Sequence, residues 1–139
     1  MKEELELDAT VENLEKVNDF LNQLLQEESY NRKDKQGLEM AVEEIYVNIA
    51  SYAYTPHIGK VKIKGEAEAD GCNIMLQFID EGKPFNPLEQ DEPDFSIPVE
   101  ERRVGGLGIF IVKAKMDDVK YEYKDGKNIL TIRKKLTKA

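Results

Sequence analysis

Cysteine and histidine are almost missing from this sequence, with Cys72 and His57 the single instances of each. One cysteine cannot close an intrachain disulfide, and one of each cannot assemble a Cys/His zinc site. A histidine-based triad would have to rest on His57 alone. Long apolar runs are missing as well: none approaches the ~20 residues that a membrane-spanning helix needs, so no membrane partner is expected. Positive charge is the third shortage, with 20 Lys and Arg against 28 Asp and Glu and a net charge of −8. That surplus repels a phosphate backbone, which argues against nucleic acid. An anionic ligand would have to be met locally, by backbone N–H groups, a helix terminus or a metal ion. The opening MKEELELD lacks the basic-then-apolar layout of a signal peptide, and together with the lone cysteine this makes the cytoplasm the expected compartment.

What is present fits a globular domain. A chain of 139 residues, 40% hydrophobic and 35% charged, is long enough for one core and short for two, so residues 1–139 are expected to form a single domain. ELELD alternates and reads as a strand. Asp8 or Thr10 can then cap a helix carrying Val11, Leu14, Val17, Phe20, Leu21, Leu24 and Leu25. A second helix is expected from about Asp34 to Tyr54, with Leu38, Val42, Ile45, Ile49 and Tyr52 on one buried face, closed by Pro56 and Gly59. KVKIKGEAEA and CNIMLQFID predict a hairpin on Asp70-Gly71. A long proline- and acid-rich segment follows, of the kind that forms lids or binding loops. IFIVKAKMD predicts a helix, and VKYEY with NILTIRKKL a closing hairpin on Asp125-Gly126. This order predicts an α+β fold, a two-layer α/β sandwich with a mixed, mostly antiparallel sheet and helices on one face.

Three stretches could carry chemistry. In EEIYVNIASYAY, Glu44 and Asn48 are four residues apart on the second helix, so they lie roughly 40° apart, at the border of the apolar face. There a carboxylate could take a proton and an amide oxygen could bind a hard cation such as Mg2+; both could equally be boundary polar residues of a surface helix. Glu43 points to solvent. In QFIDEGKPFNP, Asp80 ends a strand and Gly82 permits the turn behind it. Its carboxylate could accept from an exocyclic amine such as that of adenine, or simply close a strand-end turn. In RRVGGLGIFIV, the glycines at 105, 106 and 108 precede an apolar helix, whose first N–H groups and positive dipole end suit phosphate. The Gly-Lys-Ser/Thr ending of a Walker loop and the spacing of a dinucleotide fingerprint are both missing. A tight turn into a buried helix is the alternative.

Taken in order, E-x-x-x-N, D-x-G-x-P-F-N-P and G-G-L-G-I-F-I-V followed by M-D-D-V, over residues 44 to 119, resemble the sequence boxes of the GHKL ATPase superfamily of histidine kinases, gyrase and Hsp90-type ATP-binding domains. More closely, they are similar to its small branch, the bacterial anti-sigma-factor serine/threonine kinases. The resemblance implies a Bergerat-type sandwich that binds ATP and Mg2+. It makes Glu44 the general base, Asn48 the Mg2+ ligand and Asp80 the reader of adenine above the Gly82 turn. Gly105, Gly106, Leu107 and Gly108 then line the phosphates, residues 88–104 form the ATP lid, and Arg102 or Arg103 reaches the γ-phosphate. Implied partners are a STAS-domain anti-anti-sigma protein, which would be phosphorylated on serine, and a sigma factor, which would be sequestered; a homodimer is also implied. A non-catalytic regulator acting only by sequestration is the alternative. The sequence departs from the family at two places. Tyr52 stands where members often carry histidine, and Gly126-Lys127-Asn128 replaces a glycine followed by threonines, which puts the polar contact beside Asp80 in question.

Overall fold

The computed structural model describes residues 2–25, 30–54, 56–68, 72–89 and 106–138. Five strands, β1 (Lys2–Asp8), β2 (Lys60–Ala67), β3 (Asn73–Asp80), β4 (Asp118–Lys124) and β5 (Lys127–Lys135), form one sheet in the order β1-β2-β3-β5-β4. Every pairing in it is antiparallel. Three helices, α1 (Leu14–Leu25), α2 (Arg32–Asn48) and α3 (Gly106–Lys115), complete the α+β fold expected from the element order.

The alternation of the strands decides which face is covered. Val61, Ile63, Ile74, Leu76, Phe78, Leu130 and Ile132 are buried, while Lys60, Lys62, Lys64, Gln77 and Arg133 occupy the opposite face. Leu21, Leu24, Leu38, Val42, Ile45, Ile109 and Val112 belong to the same core, so the helices share one side of the sheet. The same parity turns Asp80 and Asn128 inward, because each stands two residues from a core side chain on its strand. The turn between β4 and β5 is at Asp125-Gly126, both with positive φ, 54° and 76°; that is the primed geometry matching strand twist, and it fixes the β4–β5 register that sets Asn128 opposite Tyr123, while the β3–β5 ladder sets Asn128 opposite Asp80. The turn expected at Asp70-Gly71 lies outside the described residues, although β2 and β3 pair antiparallel as a hairpin there requires.

Two helical expectations need correction. Val11 is not on the apolar face of α1: a 3-10 turn, Val11–Asn13, precedes the helix and leaves Val11 54% exposed. Thr10 is the N-cap of that turn but gives no side-chain cap, and Asp8 is still in β1. The buried hydroxyl of Tyr46 fixes the chain there, accepting from the Thr10 N–H at 3.1 Å and donating to the Thr10 carbonyl at 2.6 Å. The second helix starts earlier than Asp34, at Arg32, with Asn31 Oδ1 accepting from the Asp34 N–H. It stays α only to Asn48 and runs on as a π-helical turn, Ile49–Ala53. The wider turn takes the four-three spacing out of phase, so Tyr52 is 51% exposed rather than buried with Leu38, Val42 and Ile45.

Candidate functional site

The C-terminal end of β3 emerges beneath the π-helical turn, and the two meet by backbone. The Lys83 N–H donates to the Ala53 carbonyl at 3.1 Å. A Cβ on Gly82 would lie 2.3 Å from that carbonyl oxygen, so this crossing tolerates no side chain. Tyr54 fastens the same corner: its hydroxyl accepts from the Glu81 N–H at 2.7 Å and donates to the Lys60 carbonyl. Burial is the main cause that pushes the Tyr54 phenol above its ordinary value.

Between α2 with its π-helical turn, the inward face of β3 and β5, and the 83–87 segment is a cavity of about 430 Å3. Ile45, Ile49, Phe78, Ile109 and Leu130 give it apolar walls, and Asn48, Asp80 and Asn128 are polar groups on its surface. Few polar groups among apolar walls is the usual composition of a small-molecule site.

Asp80 is its chemical centre. The side chain is 6% exposed, and Oδ1 accepts from the Gly82 N–H and from Asn128 Nδ2, each at 2.9 Å. Burial raises the carboxyl above the ordinary aspartate value, and the hydrogen bonds from Asn128 and Gly82 oppose that rise. Asn128, 7% exposed, also donates to the Lys83 carbonyl at 2.9 Å, while its Oδ1 accepts from the Phe85 N–H at 3.1 Å and from the Tyr121 hydroxyl. The polar contact that the missing threonines put in question is therefore made by Asn128. A search for threonine after the glycine overlooks it, whereas its inward parity with Leu130 and Ile132 points to it directly. Tyr54 and Tyr121 were missed too, because nothing in their local sequence marks a hydroxyl that binds across elements.

The expected site residues converge unevenly. Of them Asn48 and Asp80 line the cavity, joined there by Asn128, which was not expected as a site residue. Glu44 stands one turn earlier on α2, partly exposed and outside the cavity wall, with Glu43 fully on the solvent side. α3 begins at Gly106, so Gly106, Leu107 and Gly108 form its first turn, and Ile109 just beyond them reaches the cavity. Lys113 Nζ donates to the Leu88 carbonyl at 3.2 Å, joining α3 to a short 3-10 turn, Pro87–Glu89, where the expected lid begins. Gly105, Arg102, Arg103 and residues 90–104 of that lid lie outside the described residues.

A nucleoside fits this chemistry: an apolar slot for the base ends on a carboxylate acceptor. For Mg2+, Asn48 offers one amide oxygen, and no group of three or more His, Cys, Asp or Glu that could hold a metal occurs among the described residues. One protein ligand suits a cation that keeps waters and arrives with substrate phosphates.

Residues 7–134 match the family model described as the Histidine kinase-like ATPase domain. The serine-protein kinase RsbW of Bacillus cereus is 28% identical over 99 residues, an overlap covering 70% of this chain and 62% of that protein. RsbW of Bacillus mycoides is 28% identical over 101 residues, with the same coverage. The chain thus spans 62% of the length of these curated relatives. The crystal structure of the RsbU and RsbW domains of a Mycobacterium tuberculosis protein superposes with a TM-score of 0.69 at 18% identity, over 100% of this chain and 33% of that one. At that identity the likeness concerns the fold.

Proposed function

The chain belongs to the histidine kinase-like ATPase domain family, and from that premise we propose that it is an ATP-dependent protein-serine/threonine kinase of the anti-sigma type. In this reading it phosphorylates a STAS-type anti-anti-sigma protein and sequesters a sigma factor. The observation that carries the nucleotide half of the proposal is the Asp80 carboxylate, fixed through one oxygen at the floor of the cavity that Asn48 also lines. The similarity to RsbW serine-protein kinases supports the kinase half.

Asp80 would hold the amine of the adenine while Ile45, Ile49, Phe78 and Leu130 exclude water from its ring. Asn48 would ligate Mg2+ through its amide oxygen, and the first turn of α3 would present backbone N–H groups to the phosphates. Bound Mg-ATP supplies the transferable γ-phosphoryl group. Glu44 would take the proton of the attacking serine hydroxyl, leaving catalysis to positioning and electrostatics. The place of Glu44 outside the cavity wall favours one alternative, a regulator that binds ATP and acts by sequestration only.

Incubation with γ-labelled ATP, Mg2+ and a STAS-domain protein tests the reading. Label on a serine of the partner is expected. Nucleotide binding without transfer would favour the sequestering regulator, and calorimetry showing no nucleotide binding would overturn both.

A further inference from the structure

Among the described residues, Asp80 and Asn128 are the two buried side chains that carry a carboxyl or an amide, and they are bonded to each other. Their hydrogen-bonding capacities are used differently. An amide offers two N–H protons and an oxygen with two lone pairs. Asn128 Nδ2 donates to Asp80 Oδ1 and the Lys83 carbonyl, each at 2.9 Å, with the Gly82 carbonyl at 3.4 Å beside them. Its Oδ1 takes the Tyr121 hydroxyl and the Phe85 N–H. That inventory is full, so Asn128 has nothing left with which to read a ligand, although it lines the cavity.

Asp80 is only half satisfied. Both of its contacts fall on Oδ1, and no fully buried polar side-chain atom lacks a partner among the described residues, so Oδ2 keeps open surface on the cavity. The same amide that fixes Oδ1 also stitches the 82–85 turn to β5, and Tyr121 from β4 fixes the amide.

We propose that Asn128, oriented by Tyr121, is a positioning residue for base selection: it locks Asp80 so that one open oxygen, Oδ2, discriminates a nucleobase carrying an exocyclic amine from one carrying a carbonyl. The inference rests on the reading that the cavity takes the base of ATP. An acceptor that cannot rotate away pairs with an amine and is left facing another acceptor when a carbonyl arrives, a penalty a mobile carboxylate would escape. Without Asn128, Oδ1 keeps only the Gly82 N–H, the carboxylate can turn, and the rim at Phe85 is released.

Dissociation constants for Mg-ATP and for Mg-ITP, in which a carbonyl replaces the amine, test this in the wild type, Asn128→Ala and Tyr121→Phe, alongside each variant's melting midpoint. The wild type is expected to prefer ATP by about tenfold or more. Asn128→Ala should lose most of that preference, with ITP affinity held within about threefold, and Tyr121→Phe should fall between. The acid limit of ATP binding should also move to higher pH in Asn128→Ala. One of the two hydrogen bonds that oppose the effect of burial on Asp80 is gone there, while the neighbouring Tyr54, Glu81, Lys83 and Tyr121 are kept. An unchanged ATP-to-ITP ratio in folded Asn128→Ala, or an equal loss for both nucleotides, would overturn the positioning role. Tyr121→Phe keeps the ring packing and reads the same ratio if the alanine variant does not fold. A wild type that binds neither nucleotide would instead overturn the proposed function.

Discussion

The two ends of the candidate site are built to different standards of rigidity. At the proposed base end, one carboxylate is held by the backbone of its own turn and by an amide from β5, and a tyrosine from β4 holds that amide. At the proposed phosphate end, Glu44 and Asn48 stand on one side of α2, both partly exposed. The difference fits what each end is proposed to do. A selecting group must be immobile before its ligand arrives, because a group that adapts cannot reject. A base acting on a serine of another protein has to remain open to that protein. Losses at the two ends should therefore differ in kind: selection and affinity at Asp80, rate at Glu44.

The largest effect is expected from breaking the catalytic end. Glu44→Ala should leave the ATP dissociation constant within about threefold while label transfer to a STAS-domain protein falls by roughly 10^2 to 10^4, the usual worth of a positioned base. Transfer at the wild-type rate would remove Glu44 from the mechanism. A parallel loss of binding would merge the two ends into one.

Asp80→Asn should do the converse, raising the ATP dissociation constant by about 10- to 100-fold, the scale of a lost hydrogen bond to a charged group. The same substitution should stabilise the fold. Burial raises the Asp80 carboxyl in the native state, so between its unfolded and folded pKa values the native protein binds more protons than the unfolded chain. Stability then declines as pH rises through that window, and the cost is fully present above the folded pKa. Asp80→Asn, which carries no charge, should accordingly melt a few degrees higher at neutral pH, and its advantage should shrink as pH is lowered through that window. A variant that melts lower at neutral pH would mean that the hydrogen bonds from Gly82 and Asn128 outweigh burial.

The same contrast separates what could be read in the sequence from what could not. Strand parity contains the inward faces of the sheet and the Asp125-Gly126 turn the β4–β5 register, and the four-residue step from Glu44 to Asn48 places both on one side of a helix. These are local periodicities, which a linear sequence displays. Asn128 was legible in principle, since its parity with Leu130 and Ile132 turns it inward, but its partners Asp80, Lys83 and Phe85 are more than forty residues away. Tyr46 and Tyr54 were illegible for the same reason, each closing a corner between distant segments. The π-helical turn defeated the periodicity itself: one widened turn after Asn48 moved Tyr52 from the expected core to the cavity wall.

Tyr52 offers the smallest and most discriminating perturbation of the comparison, because it lines the cavity but is not one of the residues hydrogen-bonded around Asp80. It sits on the π-helical turn, half exposed, and lines the same cavity as the exposed Phe85. Tyr52→His installs the residue that the sequence resemblance implies for that position, with no buried hydrogen bond broken and no core volume removed. Surface changes of that kind stay within about 0.5 kcal/mol, so the melting midpoint should barely move and the ATP dissociation constant should change by less than about threefold. A tenfold loss of ATP affinity with stability intact would mean that the tyrosine ring covers the bound base. The lip of the cavity would then belong to the selecting end, and the boundary between the two ends would fall between Asn48 and Tyr52, where α2 passes into the π-helical turn.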